Sequence, residues 1–277
     1  MQQSAPTETV KIAGVSVPSL GLGTWQMSGD ECERGVAHAL SIGYRHLDTA
    51  QMYENEREVG RAVTASGVDR DDIFLTTKLA TDSLRADRVG PALDHSLRAL
   101  DTGYVDLLLI HWPSDEAPLE ETLDAMEIVR GAGKARLLGV SNFPPSLFER
   151  ACTHADIFCN QVEYHPFLAQ GPLLESVRDS GRLLTAYCPL ARGRVTGDDT
   201  LADIGREHGK SAAQVALRWL LQQGVAPIPK ASSERHREQN LNVFDFTLDD
   251  DEMERVTALG GDDRIIDPEW APDWERP

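Results

Sequence analysis

Four side chains able to hold, aim or move a proton stand in the first half of the chain. Asp48 and Tyr53 lie in "RHLDTAQMYENE", Lys78 in "TTKL" and His111 in "DLLLIHWP". A phenol has an ordinary pKa near 10 and gives up its proton reluctantly. A lysine ammonium within about 4–6 Å lowers that pKa, and a carboxylate beside the lysine keeps it charged and aimed. Lys78 and Asp48 suit those roles, while His111 can donate a hydrogen bond to a carbonyl oxygen. The four describe a proton donor, Tyr53, waiting at the oxygen of a carbonyl whose carbon is attacked from elsewhere. The motifs contain no GxSxG elbow and no cysteine beside a histidine, so no activated nucleophile is legible. Hydride from a nicotinamide fits that gap.

Taken singly, each residue has a plain structural reading. Asp48 can cap a helix, His111 can be a core histidine bonded to a carbonyl, and Lys78 can begin a surface loop. The chemical reading therefore depends on elements that bring them together. Strand-like runs recur at "SLGLG", "YRHLD", "IFLTT", "VDLLLIH", "RLLGV", "IFCNQV", "LLTAY" and "VAPIP". Amphipathic stretches separate them, at 30–42, 56–66, 84–100, 118–130, 145–154, 171–180, 200–222 in two pieces, and 235–240, with a further helix at 249–259. Runs such as "DLLLI" are apolar on both faces, the mark of a parallel sheet covered by helices. An open doubly wound sheet calls for a third glycine in its first turn, but "GLGTWQ" has Gln26 there after Gly21 and Gly23. The reading is therefore an α/β chain forming a single (β/α)8 TIM barrel over residues 1–277. Residues 8–18 are expected to form a β-hairpin closing the barrel floor, residues 1–9 to be disordered, and residues 260–277 to form a tail near the site.

In such a barrel the C-terminal strand ends meet at one mouth, where polar residues read as functional. The eight exits carry Thr24-Trp25, Asp48, Lys78, His111-Trp112, Ser141-Asn142, Asn160-Gln161, Tyr187 and Lys230. Tyr187 offers a flat ring for nicotinamide, and Ser141, Asn142 and Gln161 offer hydrogen bonds to its carboxamide. "LARGR", with Leu190 and Gly193, can follow the pyrophosphate through backbone amides. Gly23, Thr24 and Trp25 complete that side, and Trp25 and Trp112 wall an apolar substrate pocket beside Tyr53 and His111. "IPKASSERHREQN" places Lys230, Ser232, Arg235, Arg237 and Asn240 at the start of a short helix, suited to phosphate groups. Trp219, at helical spacing in "AQVALRWLL", reads as core.

Composition narrows the partners. With 27 Lys+Arg against 45 Asp+Glu the net charge is −18, which disfavours nucleic acid. Clusters such as "DRDD" and "LDDDEME" read as acids at helix starts. No apolar run approaches the length of a membrane span, and the N-terminal stretch "MQQSAPTETV" has no secretion signal, so a cytoplasmic protein is expected. The four cysteines, Cys32, Cys152, Cys159 and Cys188, form no CxxC pair and read as reduced, buried and inert.

Taken in order, "GLGTW", "GYRHLDTAQMYENEREVG", "TTKL", "DLLLIHWP", "GVSNF", "NQVEYHP", "YCPL" and "IPK" resemble the aldo-keto reductase superfamily over nearly the whole chain, and the short bacterial 2,5-diketo-gluconate and methylglyoxal reductases in particular. The resemblance implies carbonyl reduction with NADPH and a catalytic tetrad of Asp48, Tyr53, Lys78 and His111. It also implies a monomer, small-molecule carbonyl substrates, and cofactor contacts at Ser141, Asn142, Gln161, Tyr187 and 230–240. The family's "PKS" serine is Ala231 here, His236 stands where a phosphate-binding arginine is common, and Gln239 replaces a frequent glutamate. Arg235 or Arg237 then grips the 2′-phosphate, and NADH becomes a possible second cofactor. Two rival readings have different sites. A metal-dependent barrel hydrolase would gather His46, Asp48 and His111, whereas a silent NADPH-binding subunit would keep the cofactor groove without turnover.

Overall fold

The computed structural model describes residues 8–274. The expected disorder of residues 1–9 therefore falls mostly outside the described residues. Its described part is corrected: the Glu8 carbonyl accepts from the Ser19 amide at 2.9 Å, and Thr9 opens a strand.

Strands β1 (Thr9–Ile12) and β2 (Val15–Pro18) pair antiparallel as a hairpin. Eight strands then follow in parallel order: β3 (Leu22–Gly23), β4 (His46–Asp48), β5 (Phe74–Leu79), β6 (Val105–Ile110), β7 (Ala135–Ser141), β8 (Ile157–Glu163), β9 (Leu183–Tyr187) and β10 (Ala226–Pro227). Helices α1 (Gly29–Ile42), α2 (Glu56–Ala65), α3 (Ala86–Ala99), α4 (Leu119–Gly131), α5 (Pro145–His154) and α6 (Gly171–Asp179) connect β3 through β9. After β9 come α7 (Asp199–His208) and α8 (Ala212–Gln222), and β10 leads to α9 (Glu234–Leu241) and α10 (Asp250–Thr257). Every expected strand and helix is present.

The barrel closes between its shortest strands. The Gly21 amide donates to the Pro227 carbonyl at 3.0 Å and the Gly23 amide to the Pro229 carbonyl at 3.2 Å. β3 and β10 each span only two residues, shorter than their five-residue runs suggest. Pro227 and Pro229 have no N–H to give, so the ladder at this seam runs on donors from one side only. The same approach explains the glycines of "GLG": a Cβ on Gly23 would sit 2.6 Å from the Ile228 carbonyl oxygen, inside contact distance with backbone. These glycines close a barrel rather than cradle a dinucleotide.

Inside the barrel, alternate residues of each strand point to the axis. Phe74, Leu107, Leu109, Phe158, Cys159, Leu183 and Ala226 form an apolar plug, and Val17 caps it from the hairpin with Val10, Ile12 and Val15 packed alongside. Outward-facing residues such as Leu47, Leu75, Leu108, Val140 and Leu184 join the larger core beneath the helices, which includes the buried Trp219.

Two readings need correction. "DRDD" is not a helix start: Arg70–Asp72 is a 3₁₀ turn before β5, and Asp71 there pairs with Arg136 at 2.8 Å. By contrast, Asp249 caps α10 in a capping box with Glu252, as acids at a helix start should. Of the cysteines, Cys32 and Cys159 are buried, but Cys152, within α5, and Cys188, just after β9, are half-buried.

Gly23→Ala is expected to destabilise the fold by roughly 1–3 kcal/mol, because the seam backbone must part to admit the methyl. For a domain of this size that lowers Tm by several degrees, at about 2–4 °C per kcal/mol. A calorimetric scan showing an unchanged Tm would contradict the close approach.

Candidate active site

The interior alternation carries straight from the plug to the chemistry. His46 is followed two residues on by Asp48, Phe74 by Thr76 and Lys78, Leu109 by His111, Cys159 by Gln161, and Leu183 by Thr185 and Tyr187. The polar members form one layer above the apolar plug, at the C-terminal ends of the strands. Period-two geometry therefore draws this polar layer from five strands, and three of them, β4, β5 and β6, bring Asp48, Lys78 and His111 together, with Tyr53 on the turn after β4.

At the centre is the Lys78 ammonium, with the whole side chain at 0% exposure. It donates to three oxygens: Asp48 Oδ1 in a short contact, the Thr49 carbonyl at 2.9 Å and Tyr53 Oη at 3.2 Å. An ammonium has three N–H groups, so its donors are all used. Asp48 Oδ2 accepts from Gln161 Nε2 at 2.8 Å, which fixes the carboxylate. Because Tyr53 Oη accepts from Lys78, its own proton points away from the lysine. The Tyr53 and His111 rings meet edge to face with centroids 5.4 Å apart, so both polar tips serve the same mouth.

Electrostatics refine the sequence reading. Burial pushes the Tyr53 phenol above its ordinary pKa; Lys78 pulls it down and Asp48 adds to the rise. The expected net lowering is thus corrected, since removal from water outweighs the nearby cation. Burial also works against the Lys78 charge, but Asp48 and the phenol oxygen outweigh it and the amine's pKa is raised. Burial, with Lys78 second, holds His111 well below the usual imidazole range. His111 is therefore neutral at physiological pH, with one ring nitrogen donating and the other accepting. Its Nδ1 is buried without a hydrogen-bond partner among the described residues.

The residues between this layer and α9 fit a dinucleotide in most respects. Ser141 Oγ donates to the Gln161 carbonyl at 2.8 Å, and Asn142 Nδ2 donates to the His111 carbonyl at 2.9 Å and to Ser141 Oγ at 3.1 Å. Tyr187 Oη donates to Asn142 Oδ1 at 2.7 Å. The free capacity left on Asn142 Oδ1 and Gln161 Oε1 is acceptor lone pairs, suited to the NH₂ of a carboxamide. At the far end, Ser233 caps α9 by accepting from the His236 amide, Ser232 and Arg235 are exposed, and buried Asn240 Nδ2 has no partner among the described residues. Lys230 Nζ reaches the Gln26 carbonyl at 3.1 Å, tying the β10 exit to the loop after β3. Thr24 Oγ1 donates to the Asp48 carbonyl at 3.0 Å, making it a brace.

Two groups expected to meet the cofactor are engaged within the chain. Arg237 is 4% exposed, and its guanidinium donates to the Ala231 carbonyl at 2.8 Å, the Ser232 carbonyl at 3.1 Å and His38 Nδ1 at 3.1 Å. It holds the loop before α9 from beneath, whereas Arg235 is exposed. In "LARGR", the Ala191 amide donates to the Cys188 carbonyl and the Gly193 amide to the Leu190 carbonyl, so neither is available to a pyrophosphate. The Arg192 side chain instead lies 5.2 Å from the centroid of the Trp25 ring.

Comparison with known proteins agrees with this geometry. The sequence model described as "Aldo/keto reductase family" matches residues 19–260. Methylglyoxal reductase DkgB of Escherichia coli is 37% identical over 267 residues, covering 94% of this chain and 100% of the relative. The chain belongs to the aldo/keto reductase family. It is accordingly an oxidoreductase of carbonyl compounds. Glyoxal reductase of Bacillus subtilis is 38% identical over 262 residues, 93% of this chain and 95% of that one. A crystal structure assigned to 2,5-diketo-D-gluconic acid reductase B superposes with a TM-score of 0.95 at 45% identity, covering 98% of both chains. An aldo-keto reductase of Bombyx mori in complex with NADP superposes at 0.90 with 33% identity, again over 98% of both.

The reductase also contains positioning residues that sequence reading passed over. Asn55 is fully buried; its Nδ2 donates to the carbonyls of Thr24 and Met27, both at 2.9 Å, and its Oδ1 accepts from Thr49 Oγ1 at 2.7 Å. It clasps the β3 exit to the β4 exit, the two loops that carry Trp25 and Tyr53. Gln51 donates to the Ala92 carbonyl at 3.1 Å and to Ser96 Oγ at 3.0 Å, and accepts from the Ala80 amide at 2.9 Å. It pins the 3₁₀ turn Gln51–Tyr53 that sets the phenol. Both amides lie inside the quoted stretch "AQMYENE", where a solvated loop would need neither.

The hydrolase reading fails on position. His46 belongs to the barrel floor, its Nδ1 3.2 Å from the Pro18 carbonyl and its ring edge-on to Phe74. Among the described residues no group of three His, Cys, Asp or Glu is placed to hold a metal.

Carbonyl reduction by this reductase is expected to be nearly flat in kcat/KM from about pH 6.5 to about pH 9.5. His111 stays neutral because its pKa lies below the free value near 6.5, and Tyr53 keeps its proton because its pKa lies above the free value near 10. Activity should fall only on the alkaline side, as the phenol ionises. A break near pH 6.5 abolished by His111→Asn would show instead that the imidazole charges in the working range.

Proposed function

We propose that the protein reduces small aldehydes and ketones to alcohols, with Tyr53 as proton donor and NADPH as the preferred nicotinamide. The observation that carries the proposal is the Lys78–Tyr53 contact, in which the ammonium donates to the phenol oxygen at 3.2 Å and leaves the phenol proton for a substrate. The relatives reduce methylglyoxal and glyoxal by name, so compact α-dicarbonyl compounds are the first candidates.

NADPH, when bound, supplies a hydride to the carbonyl carbon. The chain's own part is positional and electrostatic. Neutral His111 donates to the carbonyl oxygen and turns it toward Tyr53 Oη. As negative charge grows on that oxygen, Tyr53 gives its proton, and the phenolate that forms rests against the Lys78 ammonium. Asp48 keeps that ammonium charged and immobile, so no reorganisation is needed during the step. Trp112, at 5% exposure, and the partly exposed Trp25 form apolar walls that keep water from the oxygen. Trp112 is the substrate wall and Trp25 serves both substrate and cofactor. Asn142, Gln161, Ser141 and Tyr187 would hold the nicotinamide end, and Ser232, Arg235 and Asn240 would hold the adenosine phosphate end, with Lys230 bracing their loop through the Gln26 carbonyl. His236 and Ala231 leave the 2′-phosphate with one free arginine, which permits NADH at lower affinity. A monomeric, cytoplasmic enzyme is part of the same proposal. Among the described residues no helix is long and apolar enough to cross a membrane.

Replacing Tyr53 by Phe should lower kcat by at least about 10²-fold, the size of a lost general acid, while NADPH affinity stays within about twofold. Stopped-flow absorbance with methylglyoxal, alongside a fluorescence titration of NADPH, separates the two effects. Wild-type protein that binds NADPH but turns over no aldehyde or ketone would mark a silent binding subunit, and near-wild-type kcat in the variant would remove Tyr53 from the mechanism.

A further inference from the structure

Glu56 opens α2 yet does not face water. The acids that begin α1, Asp30 and Glu31, stand exposed, as side chains that only complement a helix dipole should. Glu56 is 6% exposed and turns inward, where its Oε1 accepts from Thr77 Oγ1 at 2.6 Å. Thr77 is on the outward face of β5, next to Lys78 in the chain. Ser96, fully buried on α3, bonds the same carboxylate. Burial pushes the Glu56 carboxyl up, and the Thr77 and Ser96 hydroxyls, then His95 and Lys78, oppose that rise. A carboxylate kept out of water carries a desolvation cost that hydrogen bonds only offset.

The hydrogen bonds that lead to this carboxylate run in one direction. The Gln51 carbonyl takes the Ala80 amide, which can only donate, and one Gln51 N–H goes to the Ala92 carbonyl, which can only accept. Those two contacts set the amide one way round, so its second N–H is given to Ser96 Oγ, at 3.0 Å. A hydroxyl has a single proton, and Ser96, accepting from Gln51, sends that proton on to Glu56. An ionised carboxylate accepts only, so the line ends there and cannot reverse. Its anchor is stiff. One turn on from Glu56, a Cβ on Gly60 would stand 2.6 Å from the Leu100 carbonyl carbon, so α2 meets the end of α3 backbone to backbone.

We infer that Glu56 is a positioning residue for Tyr53, acting through Ser96 and Gln51 to hold the 3₁₀ turn Gln51–Tyr53 where the phenol oxygen meets Lys78. The inference rests on Tyr53 as the proton donor and names what sets its place. Without the carboxylate, the Ser96 proton has no acceptor and competes with the Gln51 N–H, so the amide loses one of its three ties. The Lys78–Tyr53 bond is sensitive to such a loss, because 3.2 Å is already the long end of the range for an N–H···O contact.

Two variants test it. Ser96→Ala cuts the line without altering any charge, and Glu56→Leu removes its end. Each should lower the single-turnover rate of NADPH oxidation by methylglyoxal at least about tenfold, while the NADPH dissociation constant stays within about twofold, as a misplaced catalytic group predicts. The double variant should fall within about twofold of the poorer single, because both changes act through one line. In Ser96→Ala the alkaline limb of the rate should move to higher pH, since a phenol further from the Lys78 ammonium is harder to ionise. A structural role alone would lower Tm and leave the rate and the limb in place. Gln51→Leu takes the place of Glu56→Leu in the double variant if the latter does not fold. A wild-type rate with an unmoved limb in folded Ser96→Ala would overturn the inference, as would additive losses in the double variant, and either result leaves carbonyl reduction standing. A wild-type protein that turns over no carbonyl compound, or a Tyr53→Phe variant near the wild-type rate, would bring down the functional proposal and this inference with it.

Discussion

The fold keeps one positive charge out of water. Lys78 sits at the centre of the barrel with no exposed surface, where an uncompensated ammonium costs several kcal/mol. Three oxygens meet its three N–H groups, two from the β4 exit and one from Tyr53. The structure around it is arranged to deliver those oxygens. β4 must pair with β5 so that Asp48 lies beside Thr76, the next inward residue below Lys78, and Gln161 must cross from β8 to hold the other carboxylate oxygen. Asn55 and Gln51 must hold the turn that brings the phenol into reach. A displaced partner leaves a buried charge exposed to an apolar plug, so stability and catalysis draw on the same contacts.

Much of this was legible in the sequence because strand periodicity is a strict rule. Residues two apart share a face, so "FLTTKL" already implies that Lys78 stands above Phe74 on one side while Leu79 faces the helices. A catalytic layer above an apolar plug follows from several strands with the same pattern. The barrel seam was less legible. "GLG" reads equally as a phosphate loop or as a close backbone approach, and only the 2.6 Å clearance at Ile228 decides it.

Side-chain direction was least legible. Arg237 and Arg235 lie two apart on α9 and look interchangeable in sequence, yet one is buried beneath the loop and the other is free in solvent. Helical periodicity puts them about 200° apart, which identifies one inward residue but not which. The pKa of Tyr53 is hidden from the sequence for a related reason. A neighbouring cation can be inferred from types and spacing, whereas the depth of burial that outweighs it depends on tail and loop placement. The bond that the Ile265 amide gives to Glu163 spans 102 residues and has no local signature, since a carboxylate in "NQVEYHP" could serve any amide.

The central claim is that the buried ammonium stabilises the phenolate as it forms. The most direct measurement is the pH profile of single-turnover NADPH oxidation in Lys78→Met combined with Asp48→Asn, a pair that removes both charges and leaves neither buried alone. The account predicts a rate at least about 10²-fold below wild type and an alkaline limb moved to higher pH. A folded double variant with a near-wild-type rate and an unmoved alkaline limb would contradict it.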